Sequence, residues 1–145
     1  MKKFNALALA SVFVTALMAT TLEARADAYV LPVTAPYISL TNTVYTKSWG
    51  TLGLPTSGHL IVSGSFNIKY TTPTYGTLQV RVCQDLPTTD KCTPWATSVT
   101  GNLSLFVGND ASYPFYMQSK AVYSTNRSTN ANAGGQNSML SVNYD

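Results

Sequence analysis

Hydrophobic and polar residues alternate most clearly in the middle of the chain. Leu60, Val62, Phe66, Ile68 and Tyr70 fall on one side of an extended backbone, and Ile61, Ser63, Ser65, Asn67 and Lys69 fall on the other. That period of two is the signature of a half-buried strand. Gly64 interrupts the apolar side and predicts a bulge or a bend. Thr72-Pro73-Thr74-Tyr75-Gly76 has turn chemistry. Beyond it Leu78, Val80 and Val82 face in, while Gln79, Arg81 and Cys83 face out. The pattern predicts a hairpin.

Weaker alternation extends in both directions. Tyr37 to Lys47 carries Ile38, Leu40 and Val44. Trp95 to Val99 and Asn102 to Val107 suggest a second pair about Thr100-Gly101. Tyr113 to Gln118, Ala121 to Tyr123 and Ser138 to Tyr144 follow, the last with Leu140, Val142 and Tyr144 in phase. No stretch shows the three-and-four spacing of an amphipathic helix. About seven short strands with turns between them predict an all-β fold. The expectation is a single antiparallel β-sandwich, or a small barrel, of about seven strands with one disulfide. Ser124 to Asn137 contains no large apolar residue and reads as a long mobile loop.

The first residues have another purpose. Lys2 and Lys3 precede an apolar run from Ala6 to Met18, and Ala24-Arg25-Ala26 follows. These are the parts of a cleaved secretory signal peptide. The division is therefore residues 1–26 as signal peptide and 27–145 as one β-sandwich domain, with a second acceptable cut after Ala28. No later segment is apolar for long enough to span a membrane, so none is expected in the mature chain. Localisation in the periplasm follows.

Removing that peptide changes the charge. The remaining cations are Lys47, Lys69, Arg81, Lys91, Lys120 and Arg127; the anions are Asp27, Asp85, Asp90, Asp110 and Asp145. There is no basic stripe to displace counterions from a phosphate backbone, so nucleic acid is not an expected partner. Cys83 and Cys92 are the two cysteines. In an oxidising compartment a disulfide is the default, and their spacing is not the C-x-x-C of a redox pair. Two thiols and a distant His are too few ligands for a metal.

Catalytic chemistry finds little support. The carboxylates are scattered, His59 stands at a strand start, and G-x-S-x-G is absent. No enzymatic activity and no cofactor are expected. The aromatic residues remain. Phe115 and Met117 fall on one face, as core. Tyr116, on the opposite face, Tyr123, before the polar loop, and Tyr144, in the last strand, are candidate partner-binding residues, since aromatics are enriched at interfaces.

Ser57-Gly58, an alternating strand, Thr72-Pro73 with Gly76, Leu78-Gln79-Val80-Arg81-Val82-Cys83, a short loop and Cys92 together resemble the flagellar FlhE family. Ser141-Val142-Asn143-Tyr144-Asp145 is similar to that family's terminal strand, and Cys83 and Cys92 match its cysteine pair. The resemblance runs from Ser57 to the end. It implies a small periplasmic accessory protein of flagellar assembly or export. Such a protein acts by protein binding, either chaperone-like or by limiting leakage through the export apparatus. Two alternatives stay open. One is a structural subunit of a surface fibre, of the chaperone–usher pilin kind; Pro32 and Pro36 interrupt the donor strand it would need. The other is a carbohydrate-binding sandwich using Trp49 or Trp95.

Overall fold

The computed structural model describes residues 26–145, so the expected signal peptide lies outside it except for Ala26. The described chain forms ten strands: β1 (Asp27–Val33), β2 (Ile38–Leu40), β3 (Tyr45–Ser48), β4 (Ile61–Asn67), β5 (Thr77–Gln84), β6 (Lys91–Cys92), β7 (Thr100–Asn102), β8 (Phe115–Val122), β9 (Ser128–Ala131) and β10 (Ser138–Tyr144). One 3-10 turn, Ser104–Phe106, accompanies them. No helix among the described residues is long and apolar enough to cross a membrane.

Two four-stranded antiparallel sheets, β1-β10-β4-β7 and β3-β8-β5-β6, face each other, and β2-β9 makes a third small sheet. Tyr29, Leu31, Ile61, Phe66, Leu140 and Val142 from the first sheet share one buried cluster with Val80, Val82, Phe115 and Met117 from the second. This is the sandwich expected from the alternation, with ten strands in place of seven and no closed barrel.

The central hairpin does not form. β4 pairs with β10 and β7, whereas β5 pairs with β8 and β6. The connecting segment carries the chain from one sheet to the other. Its backbone is bonded elsewhere: Ile68 N–H to Val99 O, Thr71 N–H to Asn132 O and Thr74 N–H to Asn130 O. A turn-rich sequence between two alternating strands fits either connection, and only the partners decide.

Within β4 the phase also changes. The register against β10 shifts between Asn143 and Tyr144, so Val62 is the extra residue of a bulge. Ile61 therefore turns inward with Phe66 and Ile68, and Leu60 and Val62 are exposed. Gly64 itself lies in regular pairing, opposite Val142. A Cβ there would meet Ser141 O at 2.5 Å and Leu103 Cδ1 at 2.6 Å, so only glycine lets Leu103 seat under the sheet.

Four other expectations are corrected. Tyr37 to Lys47 is not one strand: Asn42, at φ 58°, turns the chain between β2 and β3. Trp95 to Val99 and Asn102 to Val107 do not pair; β7 joins β4, and the residues after it form the 3-10 turn. The two segments around Tyr116 and Tyr123 join into one strand, β8. Finally, β1 runs through Pro32 and pairs with β10 along its whole length. It is an edge strand, where a missing N–H costs no ladder bond.

The largest correction is the polar loop. Ser128–Ala131 is β9, paired with β2, and Thr129, Ala131 and Ala133 are buried. Thr71 and Thr74 hold its other edge through the bonds already described. Small alternating side chains let this strand lie close against its neighbours. It is an ordered part of the fold.

Candidate functional site

The outer face of the β3-β8-β5-β6 sheet is the distinctive surface. In β8, Phe115, Met117, Ser119 and Ala121 are buried, which turns Tyr116, Gln118, Lys120 and Val122 outward. The register sets them opposite Cys83, Arg81, Gln79 and Thr77 of β5. Cys83 is bonded to Cys92 directly across from it on β6, with the Cα atoms 4.0 Å apart. The disulfide therefore closes the edge of this sheet, as the export argument predicted.

The chain leaves β6 along the same edge and places Trp95. Thr93 N–H bonds Val82 O, and Ala96 exchanges two bonds with Val80. Pro94 and Trp95 thus lie against the single residue Arg81. Two residues opposite one is a bulge, and a bulge re-aims side chains. The Trp95 ring comes over the sheet, with Arg81 Cζ 4.7 Å and Lys120 Nζ 4.2 Å from its centroid. Arg81 Nε also donates to Gln118 Oε1 at 2.7 Å. Cations over an indole gain electrostatic attraction from the ring quadrupole.

At one end of this face stands Tyr116. Its hydroxyl donates to Asp90 Oδ2 at 2.5 Å. Burial pushes the phenol up to about 12, and the bond to the Asp90 carboxylate adds to the effect. At the other end, beyond the β5–β8 pair, Arg127 lies over Tyr75, its Cζ 3.5 Å from the ring centroid, with Tyr123 at 5.9 Å. The two tyrosine rings are 6.1 Å apart. Both remain accessible, at 37% and 38% of their surface.

These exposed side chains stand on a fixed backbone. Buried Thr41 accepts the Arg127 N–H at its Oγ1, and its own N–H bonds Arg127 O. Asn42 grips Tyr123 from both sides, Oδ1 accepting its N–H and Nδ2 donating to its carbonyl, each at 3.0 Å. Thr129 does the same for Tyr75, both bonds being 2.9 Å. Pinned loops present side chains with little entropy left to lose on binding.

A surface groove of about 380 Å³ lies beside the start of β5, lined by Tyr70, Pro73, Gly76, Leu78 and Thr97 among others. The Tyr70 hydroxyl donates to Pro36 O at 2.7 Å and pairs with Ser119 Oγ at 2.6 Å. Burial pushes this phenol up to about 12.

Of the residues singled out in the sequence, Tyr116 and Tyr123 lie at opposite ends of this one sheet face. Tyr144 is not brought to them. It packs against Tyr29 and His59, at 6.0 and 5.5 Å, on the other sheet. His59 Nδ1 is bonded to Asp145 O at 2.5 Å. Trp49 is buried at 5%, with its Nε1 unpartnered, and offers no platform to a sugar. Trp95 has its ring engaged by two cations. Arg81, Lys120, Arg127 and Tyr75 were missed in the sequence, because rings and cations meet only through the pairing of β5, β8 and the edge segments.

No family model and no curated protein sequence matches the chain. Among solved structures it matches the crystal structure of FlhE, with a TM-score of 0.62 and 15% identity, over 82% of this chain and 96% of that one. The chain has the FlhE fold. At this identity the likeness is one of fold, and it covers nearly all of FlhE.

Proposed function

We propose that this protein is a periplasmic, non-enzymatic accessory of flagellar assembly or export. It is exported by a signal peptide over residues 1–26 and acts through residues 27–145 by binding a protein partner. The fold shared with FlhE carries the reading. The family resemblance from Ser57 to Asp145 supports it from the sequence side. The binding surface is the outer face of β3-β8-β5-β6, with Tyr116 and Tyr123 at its ends. That binding serves a chaperone-like role or limits leakage through the export apparatus.

Deleting the gene is expected to impair swimming or swarming, or to leave misplaced filaments, and the intact gene restores motility. Unchanged motility in the deletion strain would overturn the flagellar reading. The fibre-subunit alternative is disfavoured by one observation: β1 already fills the place beside β10, in register from Asp27 to Val33. A donor-strand subunit leaves such a place for its neighbour's strand. The purified protein is accordingly expected to be monomeric, by light scattering.

A further inference from the structure

Three cations share one arrangement. Arg81, Lys120 and Arg127 each lie over an aromatic ring on or at the end of a single sheet face. Among the described residues no Lys or Arg reaches a carboxylate within ion-pair distance. Arg127 Cζ lies 3.5 Å from the Tyr75 ring centroid, and among the described residues its guanidinium donates no hydrogen bond, so its N–H groups remain for an outside acceptor. From the Arg81–Gln118 pair to the Thr77–Val122 pair is four residues along the strand, roughly 13 Å. The groove runs beside this stretch. Val80 exchanges bonds with Ala96 and so points its N–H and carbonyl away from β8. Leu78, two residues earlier, points the same way, into the groove.

Given the protein-binding reading above, we infer that this face recognises an acidic, extended segment of a partner protein, its carboxylates meeting Arg81, Lys120 and Arg127. The length of the stripe suits about four residues of strand. A nucleic acid or an anionic bilayer needs a longer run of cations, and here the run stops at Asp90, on the Tyr116 hydroxyl. A neutral sugar needs a bare ring face, and Trp95 and Tyr75 both face cations.

The test is fluorescence anisotropy with a labelled ten-residue peptide of alternating Glu and Ser. The unmodified protein is expected to bind it saturably, more weakly as salt rises, as charge pairing at a wet surface demands. The variant Arg81→Gln/Lys120→Gln/Arg127→Gln should lose about tenfold or more in affinity, at roughly a third of a decade per wet charge pair. Ser141→Ala/Asn143→Ala on the opposite sheet should leave it unchanged. Circular dichroism of each variant reports folding, and single Gln variants replace the triple should it not fold. Absent binding, or equal binding by the cation variants, overturns the inference. So does tighter binding of an oligothymidylate, a phosphatidylglycerol vesicle or cellohexaose. Impaired motility without peptide binding would sink the acidic partner and leave the flagellar reading standing. Peptide binding with unchanged motility would do the reverse.

Discussion

The two outer faces of the sandwich differ in what their polar groups do. On the β1-β10-β4-β7 sheet, the outward residues include Val30, Met139, Ser141, Asn143, Ser63 and Ser65, with no charge among them. The carboxylates near that sheet serve the backbone. Asp110 accepts from Ser57 Oγ and from the N–H groups of Gly58 and Ser112, and Asp145 Oδ1 accepts the Leu60 N–H. On and beside the β3-β8-β5-β6 sheet Arg81, Lys120 and Arg127 serve no backbone group. They lie on rings that are themselves held in place. Asp110 and Asp145 are thus committed to folding, and Arg81, Lys120 and Arg127 are left available to something outside the chain.

The comparison requires both sheets to be equally part of one folded unit, which large core truncations test first. Phe115→Ala on β8 should cost about 3–5 kcal/mol and Leu140→Ala on β10 about 2–5 kcal/mol, since each removes a fully buried side chain. Urea denaturation of each should show one transition seen alike by circular dichroism and by Trp fluorescence. Two separated transitions would mean that the sheets fold apart.

Next comes the bond special to one sheet. Cys83 and Cys92 close nine residues of sequence, and in the chain-entropy model their loss costs about 2.5–3 kcal/mol. The disulfide fixes β6, which leads directly into the Trp95 bulge. Cys83→Ser/Cys92→Ser should therefore lower stability by that amount and raise the quenching of Trp95 by acrylamide, while buried Trp49 stays protected. An unchanged Trp95 would show that the bulge is held by the backbone bonds of Thr93 and Ala96 without help from the disulfide.

How far the sequence could be read follows the size of the side chains that were buried. β8 and β10 show themselves through Phe115, Met117, Leu140 and Val142. β9 hides because its inward residues are Thr129 and Ala131, whose alternation carries almost no hydrophobic contrast. Topology was beyond reach where a turn-like stretch, 68–76, crosses between sheets. At the site, Tyr116 and Tyr123 were visible as aromatics in an alternating strand. Their cationic partners were not, since Tyr75 meets Arg127 only after β9 docks on the 71–75 segment.

A smaller effect separates the two sides by pH. Hydrogen bonds from Ser112, and then from Gly58 and Ser57, hold the Asp110 carboxyl well below the ordinary carboxylate range. A depressed value stabilises the fold above the unfolded group's pKa, about 3.9, and that contribution fades as pH falls through the folded value. Asp110→Ala should lose about 1 kcal/mol at neutral pH, because the group is mostly wet. Its stability should also fall less than that of the unmodified protein below about pH 4. Parallel acid profiles would mean that the Asp110 bonds contribute nothing.

The smallest expected effect is the most telling one. Arg81→Gln, Lys120→Gln and Arg127→Gln should each change stability by no more than about 0.5–1 kcal/mol, the worth of an exposed cation–ring contact. Arg127 is placed by Thr41 through its backbone, so removing the guanidinium leaves the loop where it is. Trp95 is likewise flanked by the Thr93–Val82 and Ala96–Val80 backbone bonds, which these substitutions leave in place. Urea midpoints displaced by more than that would make the cations clamps of the fold, and the two faces would no longer differ in kind. Small shifts, with peptide affinity falling in the same variants, would separate binding from stability on this face.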